Sequence, residues 1–386
     1  MTAKIRPQLL RRMTVRRILE LLQEQGPSTR AELTRLSGIS APTVSKAVAS
    51  LLESGLLEEG EALPGSLGRP GKRLRLATEK AQVIGVVLDA GRCELVTASL
   101  DGTIDEEQIR RIPTPGSYQG LIDTLVAEAV EVSANNGITT LAMGVSVPGL
   151  TNRRRGTAVF SPNLHITDGR PLSHDLSERL GLECTIFQEA QALCLAERMY
   201  NGARALEDFV VLDISTGLGL GVFNNGRLLE GHSGLAGELG HVTMQPDGRL
   251  CGCGNRGCLE TLATDTALAW LVSQRIGRQV DIEGAVDLIR RGEVQADAEL
   301  RSVCEYLSIA IAAAINLFNP SSLFVHGRAF DARDGLFELV CEMTGRRALA
   351  PSLKDCTIIR ARCSKRQGAV AAAIQSLTDA VGPTIA

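Results

Sequence analysis

The sequence predicts an α/β chain in three parts: an N-terminal winged helix-turn-helix, then a duplicated body of two α/β lobes with a cleft between them. Three observations carry this. Residues 1–80 hold three apolar-periodic helical segments followed by two short strand-like stretches. The segments QVIGVVLDAGRCELVTASLDGTI and FVVLDISTGLGLGVFNNGRLL share one plan, with Asp213 standing 124 residues after Asp89. Charge is also divided unevenly, with 14 Lys/Arg against 8 Asp/Glu in residues 1–80 and 27 against 36 in the rest. A positive front end on a negative body suits a polyanion-binding module attached to something that does not need nucleic acid.

The bulk properties set limits. At 386 residues the chain exceeds what one core organises, so two or three domains are expected. Composition is 44% hydrophobic and 22% charged with no run of 18 apolar residues, so no membrane partner is expected. The opening MTAKIRPQLLRRMTVRR is basic but lacks a separate apolar segment and a small-residue cleavage site, and carries no secretory signal. Ten cysteines are scattered except for the trio Cys251, Cys253 and Cys258, as in a reducing compartment. A cytoplasmic location follows as the expectation.

Within residues 1–80, Val15, Ile18, Leu19 and Leu22 recur at helical spacing until Gly26-Pro27 stops the run. In STRAELTRLSG, Ser28 or Thr29 caps a short second helix, Glu32 sits in its first turn, and Leu33 and Leu36 face inward. After the Gly38 turn, Ser40 caps a third helix, Pro42 suits its first turn, and Val44, Val48, Leu51 and Leu52 form its apolar stripe. Ala41, Thr43, Ser45 and Lys46 then face away, small or basic residues able to enter a major groove. The stretch LLEEGEALPGSLGRPGKRLRLAT reads as a strand, a Gly/Pro-rich tip and a return strand. Its tip places Arg69, Lys72 and Arg73 on a slender cationic element that suits a narrow minor groove. The plainer alternative is a three-helix bundle that binds protein.

The body divides at 81–190 for the first lobe, completed by about 365–386, and 191–364 for the second. Turns at Asp89-Ala90-Gly91, Asp101-Gly102 and Asn225-Gly226 separate strands. YQGLIDTLVAEAVEVSANNG is helical, and a long apolar helix from roughly Arg301 to Phe318 ends at Asn319-Pro320. The stretch GELGHVTMQPDGRLCGCGNRGCLE, residues 237–260, supplies His241, Cys251, Cys253 and Cys258, a donor set suited to tetrahedral Zn²⁺. Four protein ligands leave no open position for water, so the zinc is expected to be structural, with Gly252 and Gly254 permitting the sharp path between cysteines. Buried, unligated thiols are the alternative.

A winged helix followed by this duplicated body, with VSVPGL, SPNL, GELGH and CGCGNRGCLE in order, resembles the ROK family of sugar-responsive repressors and bacterial sugar kinases over nearly the whole chain. The resemblance implies an actin-like, hexokinase-like fold and a homodimer or homotetramer, which two operator half-sites would also require. It makes the His/Cys₃ pattern the family's zinc site. It also brings Glu238, His241 and Glu260 to a sugar, with Asn163 of SPNL as a further polar contact. For Glu260 a helix-capping role is the rival.

The same resemblance bears on catalysis. Family kinases carry Asn-Asp in the segment matching Gln188-Glu189, the Asp being general base. Both side chains here are one methylene longer, and a shift of about 1 Å costs on the order of 100-fold where alignment matters. Glu189 is thus at most a residual base, and Gln188-Glu189 imply altered sugar contacts. Where the kinases show Asp-x-Gly-Gly-Thr, this chain has Asp89-Ala90-Gly91-Arg92-Cys93. The loop bearing Gly217 and Gly219 keeps its glycines, and the adenosine-side Gly-Gly becomes Gly327-Arg328. ATP is therefore not expected as a cofactor. The sequence reads as a DNA-binding regulator, a repressor of a double-stranded operator, whose degenerate kinase body senses a small carbohydrate. The rivals are an ATP-dependent sugar kinase with an attached DNA-binding domain, and a regulator controlled by a protein partner.

Overall fold

The computed structural model describes residues 7–60, 72–134, 137–200, 203, 204 and 206–382. The first module comprises α1 (Pro7–Gln25), β1 (Ser28–Thr29), α2 (Arg30–Ser37), α3 (Ala41–Glu53), β2 (Leu57–Gly60) and β3 (Arg73–Leu76). Its strands form an antiparallel sheet in the order β1-β3-β2. Thr29, rather than Ser28, caps α2: its hydroxyl accepts the Glu32 amide at 3.2 Å, and the Thr29 amide donates back to Glu32 at 2.7 Å. Ser28 is instead buried in the short strand. Ser40 occupies the cap position of α3 but caps nothing with its side chain; its hydroxyl meets Thr43 Oγ1 at 2.9 Å. Ile18, Leu22, Leu33, Val44, Val48, Leu51 and Leu74 pack at the centre, whereas Leu36, expected inside, is 39% exposed. With only eight residues, α2 turns one narrow face inward, and Leu33 alone on that helix is buried.

The first lobe carries β4 (Ala81–Val87), β5 (Arg92–Ser99), β6 (Arg110–Pro113), α4 (Tyr118–Ser133), β7 (Thr139–Val147), the small hairpin β8 (Leu150–Asn152) and β9 (Thr157–Phe160), α5 (Leu172–Leu180) and β10 (Glu183–Gln188). Then follow α6 (Glu189–Tyr200), β11 (Phe209–Asp213), β12 (Gly219–Asn224) and β13 (Arg227–Leu228). The chain continues through α7 (Asp265–Ile276), α8 (Ile282–Arg290), α9 (Asp297–Phe318), β14 (Ser322–His326), α10 (Leu336–Gly345), α11 (Ala350–Lys354), β15 (Thr357–Arg360) and α12 (Lys365–Val381). Two five-stranded sheets result, in the orders β10-β7-β4-β5-β6 and β13-β12-β11-β14-β15. In each, the central strand pairs antiparallel with its successor and parallel with a crossover strand: β4 with β5 and β7, β11 with β12 and β14. The repeat read from the sequence is this shared topology. Asp89 and Asp213 accordingly sit at the C-terminal ends of the two central strands, where α/β sheets present their ligand sites.

Helix α9 starts at Asp297, four residues before the expected Arg301, and ends where Asn319 takes a left-handed conformation with φ 43°. It has the length and hydropathy of a membrane span, with 56% of that window buried inside the molecule. Its Leu300, Val303, Leu307, Ile311 and Ile315 belong to the core of the second lobe. The residue-80 boundary does not coincide with a gap in packing. One apolar cluster runs from Ile18 and Leu22 through Ala77, Ala81 and Val83 to Val370 and Ile374 of α12, joining the N-terminal module to the first lobe.

Candidate functional site

The loop after β13 builds a compact ligand cluster. His241, Cys251, Cys253 and Cys258 each place a donor atom within 4.8 Å of all the others. Cys253 Sγ and Cys258 Sγ are 3.7 Å apart, and Cys251 Sγ lies 3.6 Å from His241 Nδ1. Neighbouring sulfurs on a tetrahedron of ~2.3 Å zinc–sulfur bonds stand roughly 3.8 Å apart, so the donor set and its spacing fit such an ion. Backbone geometry makes the knot possible: Gly254 has φ 91°, and a Cβ on Gly257 would lie 1.5 Å from the Gln245 carbonyl oxygen.

His241 turns Nδ1 toward the thiols and Nε2 toward Glu238, whose Oε2 is 3.6 Å away. The imidazole nitrogen left over by the cluster therefore faces a carboxylate of the same loop. The other oxygen of Glu238 accepts a hydrogen bond from Gln188 Nε2 at 2.8 Å. Glu260 is engaged within the protein. One oxygen accepts the Leu218 amide at 3.1 Å and the other lies 3.4 Å from Cys251 Sγ, so it stands between the 215–221 loop and the cysteines. It does not cap α7, a role taken by Thr264. Asn163 is exposed, next to Pro162, whose Cβ lies 3.0 Å from the position of a Cβ on Gly252; SPNL and the cysteine loop therefore touch.

Glu189 lies in a buried charge cluster. Its Oε1 accepts a 2.7 Å hydrogen bond from Lys365 Nζ, which also stands 3.7 Å from Asp213 Oδ2. Asp213 Oδ1 pairs with His326 Nδ1 at 2.9 Å and accepts from the Ser215 amide at 3.1 Å and hydroxyl at 2.8 Å. Side-chain exposure is 14% for Glu189, 18% for Lys365 and 5% for Asp213. Burial pushes the Glu189 carboxyl up, against the pull of Lys365. Burial also opposes ionisation of Asp213, but Lys365 and the His326 hydrogen bond prevail and hold it well below the carboxylate range. For Lys365, burial lowers and the two carboxylates more than restore, leaving it above the ordinary lysine value. Lys365 opens α12, where the positive helix end disfavours an ammonium; the two acids offset that cost.

A cleft of about 1050 Å³ opens beside this cluster, lined among others by Asp89, Arg92, Asp265, His326, Arg328 and Lys365. Glu238, His241 and Glu260 do not line it. They connect to it through Gln188-Glu189 and through Leu218, whose loop neighbours Ser215 and Thr216 do. Gly91 donates its amide to Asp89 at 3.1 Å. Asp265, at the start of α7, accepts the amides of Arg328 at 2.8 Å and Ala329 at 2.7 Å. Burial pushes its carboxyl up to about 6, against those two amides. Arg328, after Gly327, pairs with Glu283 at 2.6 Å.

On the N-terminal module, Ala41, Thr43, Ser45 and Lys46 are all exposed on one face of α3. Arg69 lies outside the described residues. Lys72 and Arg73 stand at the base of the wing rather than at its tip, Arg73 being the first residue of β3. Lys72 Nζ is 2.5 Å from Glu59, which also pairs with Arg30 at 3.2 Å, and Arg73 is half-buried. Strand pairing explains the difference, because Arg73 sits opposite Gly60 and Thr29 in the three-stranded sheet.

Comparison with known proteins matches residues 84–378 to the ROK family and residues 14–58 to winged helix-turn-helix DNA-binding domains. The chain belongs to the ROK family. It is 25% identical over 369 residues to the DNA-binding transcriptional dual regulator NagC of Escherichia coli K12, covering 93% of this chain and 91% of that one. It is 32% identical over 254 residues to a glucokinase of Streptomyces coelicolor, covering 60% of this chain and 79% of the enzyme. A ROK family transcriptional regulator, a homolog of the E. coli MLC protein, superposes with a TM-score of 0.83 at 25% identity, covering 96% and 98% of the two chains. This chain thus shares the whole architecture of ROK transcriptional regulators, a winged helix-turn-helix on a kinase-like two-lobed body.

For a ROK chain, the retained glycines have a packing explanation independent of phosphate. A Cβ on Gly217 would meet Glu260 Oε2 at 2.5 Å, and one on Gly221 would meet the Ala190 carbonyl at 2.4 Å and Cys194 Sγ at 2.5 Å. Gly219 is tight as well, at 3.1 Å from Ala190 Cβ. The functional residue that sequence reasoning missed is Lys365. Its only local sign is the S-x-x-Q capping box formed by Ser364 and Gln367, which marks a helix start but says nothing of where the lysine points.

Proposed function

We propose that the ROK body of this chain has left phosphoryl transfer and serves as a carbohydrate sensor controlling the winged helix on double-stranded DNA. The observation that carries the reading is the 2.7 Å pair between Lys365 and Glu189. A general base must offer a free lone pair to the acceptor hydroxyl. At the position the family resemblance assigns to that base, a buried lysine from α12 holds Oε1 and fixes the carboxylate's orientation, leaving Oε2 alone to meet a hydroxyl. Arg92 and Arg328 add bulk where the kinases have glycine. Beside the cleft rather than lining it stand polar groups that suit sugar hydroxyls, Gln188, Glu238 and His241, with Asn163 on the SPNL loop that touches the cysteine loop. The glucokinase relative supports a hexose-like effector for this type of body.

Zinc is the ion we assign to His241, Cys251, Cys253 and Cys258. Its role is to hold the loop that presents Glu238; the fully protein-ligated set leaves no place for activated water. Stoichiometric zinc is expected in the purified protein and a sharp fall in Cys253→Ser; equal zinc in both would remove the ligand assignment. We further propose a cytoplasmic homodimer or homotetramer, which two half-sites on an operator call for.

The test is a sugar-panel thermal-shift screen on zinc-replete protein with and without operator DNA, alongside an assay for sugar-dependent ADP release. At least one sugar should raise the melting temperature, and the same sugar should release no ADP above background. Sugar-dependent ADP release abolished by Glu189→Gln would establish the kinase instead. A protein partner that displaces DNA while no sugar has any effect would establish the third reading.

A further inference from the structure

We propose that Arg153 is the coupling residue between the sugar wall and the DNA-binding module, acting through Asp379 on Arg16 of α1. This rests on the sensor reading above. Arg153 lies in a single 3₁₀ turn between β8 and β9, and its guanidinium touches three separate parts of the molecule. Its Nε donates to Glu230 at 2.8 Å, and Nη2 bonds the same carboxylate. Its Nη1 reaches Asp379 at 3.5 Å, and its plane lies 4.9 Å from the centroid of the Phe187 ring.

Each contact leads somewhere different. Phe187 on β10 immediately precedes Gln188, the last residue of that strand, and Glu189, the first of α6. Glu230 begins the second-lobe segment that ends at Glu238; residues 231–233 are exposed, and the segment makes close backbone contacts at two of its glycines. A Cβ on Gly234 would meet the Thr151 carbonyl oxygen at 2.9 Å, and one on Gly237 would meet that of Leu220 at 2.0 Å. These contacts tie the segment to β8 and β12 and give a packed path from Glu238 toward the β8–β9 hairpin that carries Arg153.

The third contact leads to DNA. Asp379, in the last turn of α12, is shared with Arg16 of α1 at 3.0 Å. Around it, α1 grips the end of α12: Arg16 donates to the Gly382 carbonyl at 2.9 Å, Arg12 to that of Ala380 at 3.2 Å, and Gln23 to Thr378 at 3.0 Å. Helix α12 cannot yield at its middle, because a Cβ on Gly144 of β7 would stand 2.2 Å from the Ala369 carbonyl oxygen. A change in the Arg153–Asp379 contact thus acts on the seat of α1. Arg153, Glu230 and Asp379 are 32%, 18% and 38% exposed, a setting in which single ion pairs contribute little to stability and alternative pairings lie close in free energy. That is the property a two-state coupling element needs.

The experiment uses the full zinc-loaded chain, a fluorescent duplex selected from a randomised double-stranded library, and D-glucose and N-acetyl-D-glucosamine as probes. For wild type, Arg153→Met, Asp379→Asn and the double variant, sugar affinity is measured by calorimetry and duplex affinity by anisotropy with and without saturating sugar. In wild type, one of the two sugars should change duplex affinity by about 5- to 150-fold, the usual range of coupling. In both single variants that ratio should fall below about two-fold while sugar affinity and melting temperature stay near wild type, and the double variant should be no worse than either. Wild-type coupling retained in Arg153→Met and Asp379→Asn overturns the role of Arg153 alone. Sugar binding without any effect on wild-type DNA affinity overturns the sensor reading itself.

Discussion

A lysine at the first residue of a helix, beside two buried acids, is the side chain on which the proposed loss of catalysis rests. Replacing Lys365 by Met leaves Glu189 without its counter-charge and Asp213 with His326 alone, and removing one partner of a buried pair costs about 3–5 kcal/mol. Urea denaturation of Lys365→Met should show a loss in that range, partly restored by adding Glu189→Gln. Asp265 gives a pH signature. Its carboxyl is raised from 3.8 to about 6 by burial, so the folded state holds a proton that the unfolded chain releases across that interval. The stability it contributes is full below pH 4 and lost as pH rises through 6, about 3 kcal/mol at roughly 1.4 per pK step. The difference in unfolding free energy between wild type and Asp265→Asn should therefore slope between pH 4 and 6 and flatten above; a flat difference throughout would contradict the burial argument. At this scale the sequence exposed only what is local. His241 and the three cysteines fall within one loop, and their donor chemistry is written in their spacing. Lys365 meets Glu189 across 176 residues, and no pattern around either announces the other.

Helices and strands were legible where one rule decided them. The stripe Val44, Val48 and Leu51 fixed the inner face of α3, and with it the exposed Ala41, Thr43, Ser45 and Lys46. Leu36 was misplaced because an eight-residue helix has too few turns for periodicity to select between adjacent faces. The two strands of the wing are legible in the sequence, whereas the Gly/Pro-rich run suggests Lys72 and Arg73 as tip residues and strand pairing instead holds them at the base. This changes what mutation should do. Lys46→Ala should weaken operator binding and reduce the salt slope by roughly one unit if its ammonium meets a phosphate. Lys72→Ala should have the smaller effect, since Glu59 already holds that ammonium. Anisotropy titrations across a salt series decide the order, and a larger effect at Lys72 would return the DNA contact to the wing base.

Across the whole molecule, the duplication is legible because the two central strands lead into Asp89 and Asp213 with similar turns. The docking of the N-terminal module is not, since a composition change near residue 80 reads as a boundary. In the fold, Ala77, Ala81 and Val83 instead carry one apolar cluster from α1 to α12. That continuity seats the N-terminal module on the first lobe through packed side chains. The central claim is that filling the sugar cleft changes DNA affinity with no phosphoryl transfer. Its most direct test is the operator dissociation constant measured without sugar and at saturating sugar, both in the absence of ATP. The account expects the two constants to differ by about five-fold or more. Equal constants with sugar demonstrably bound would contradict it.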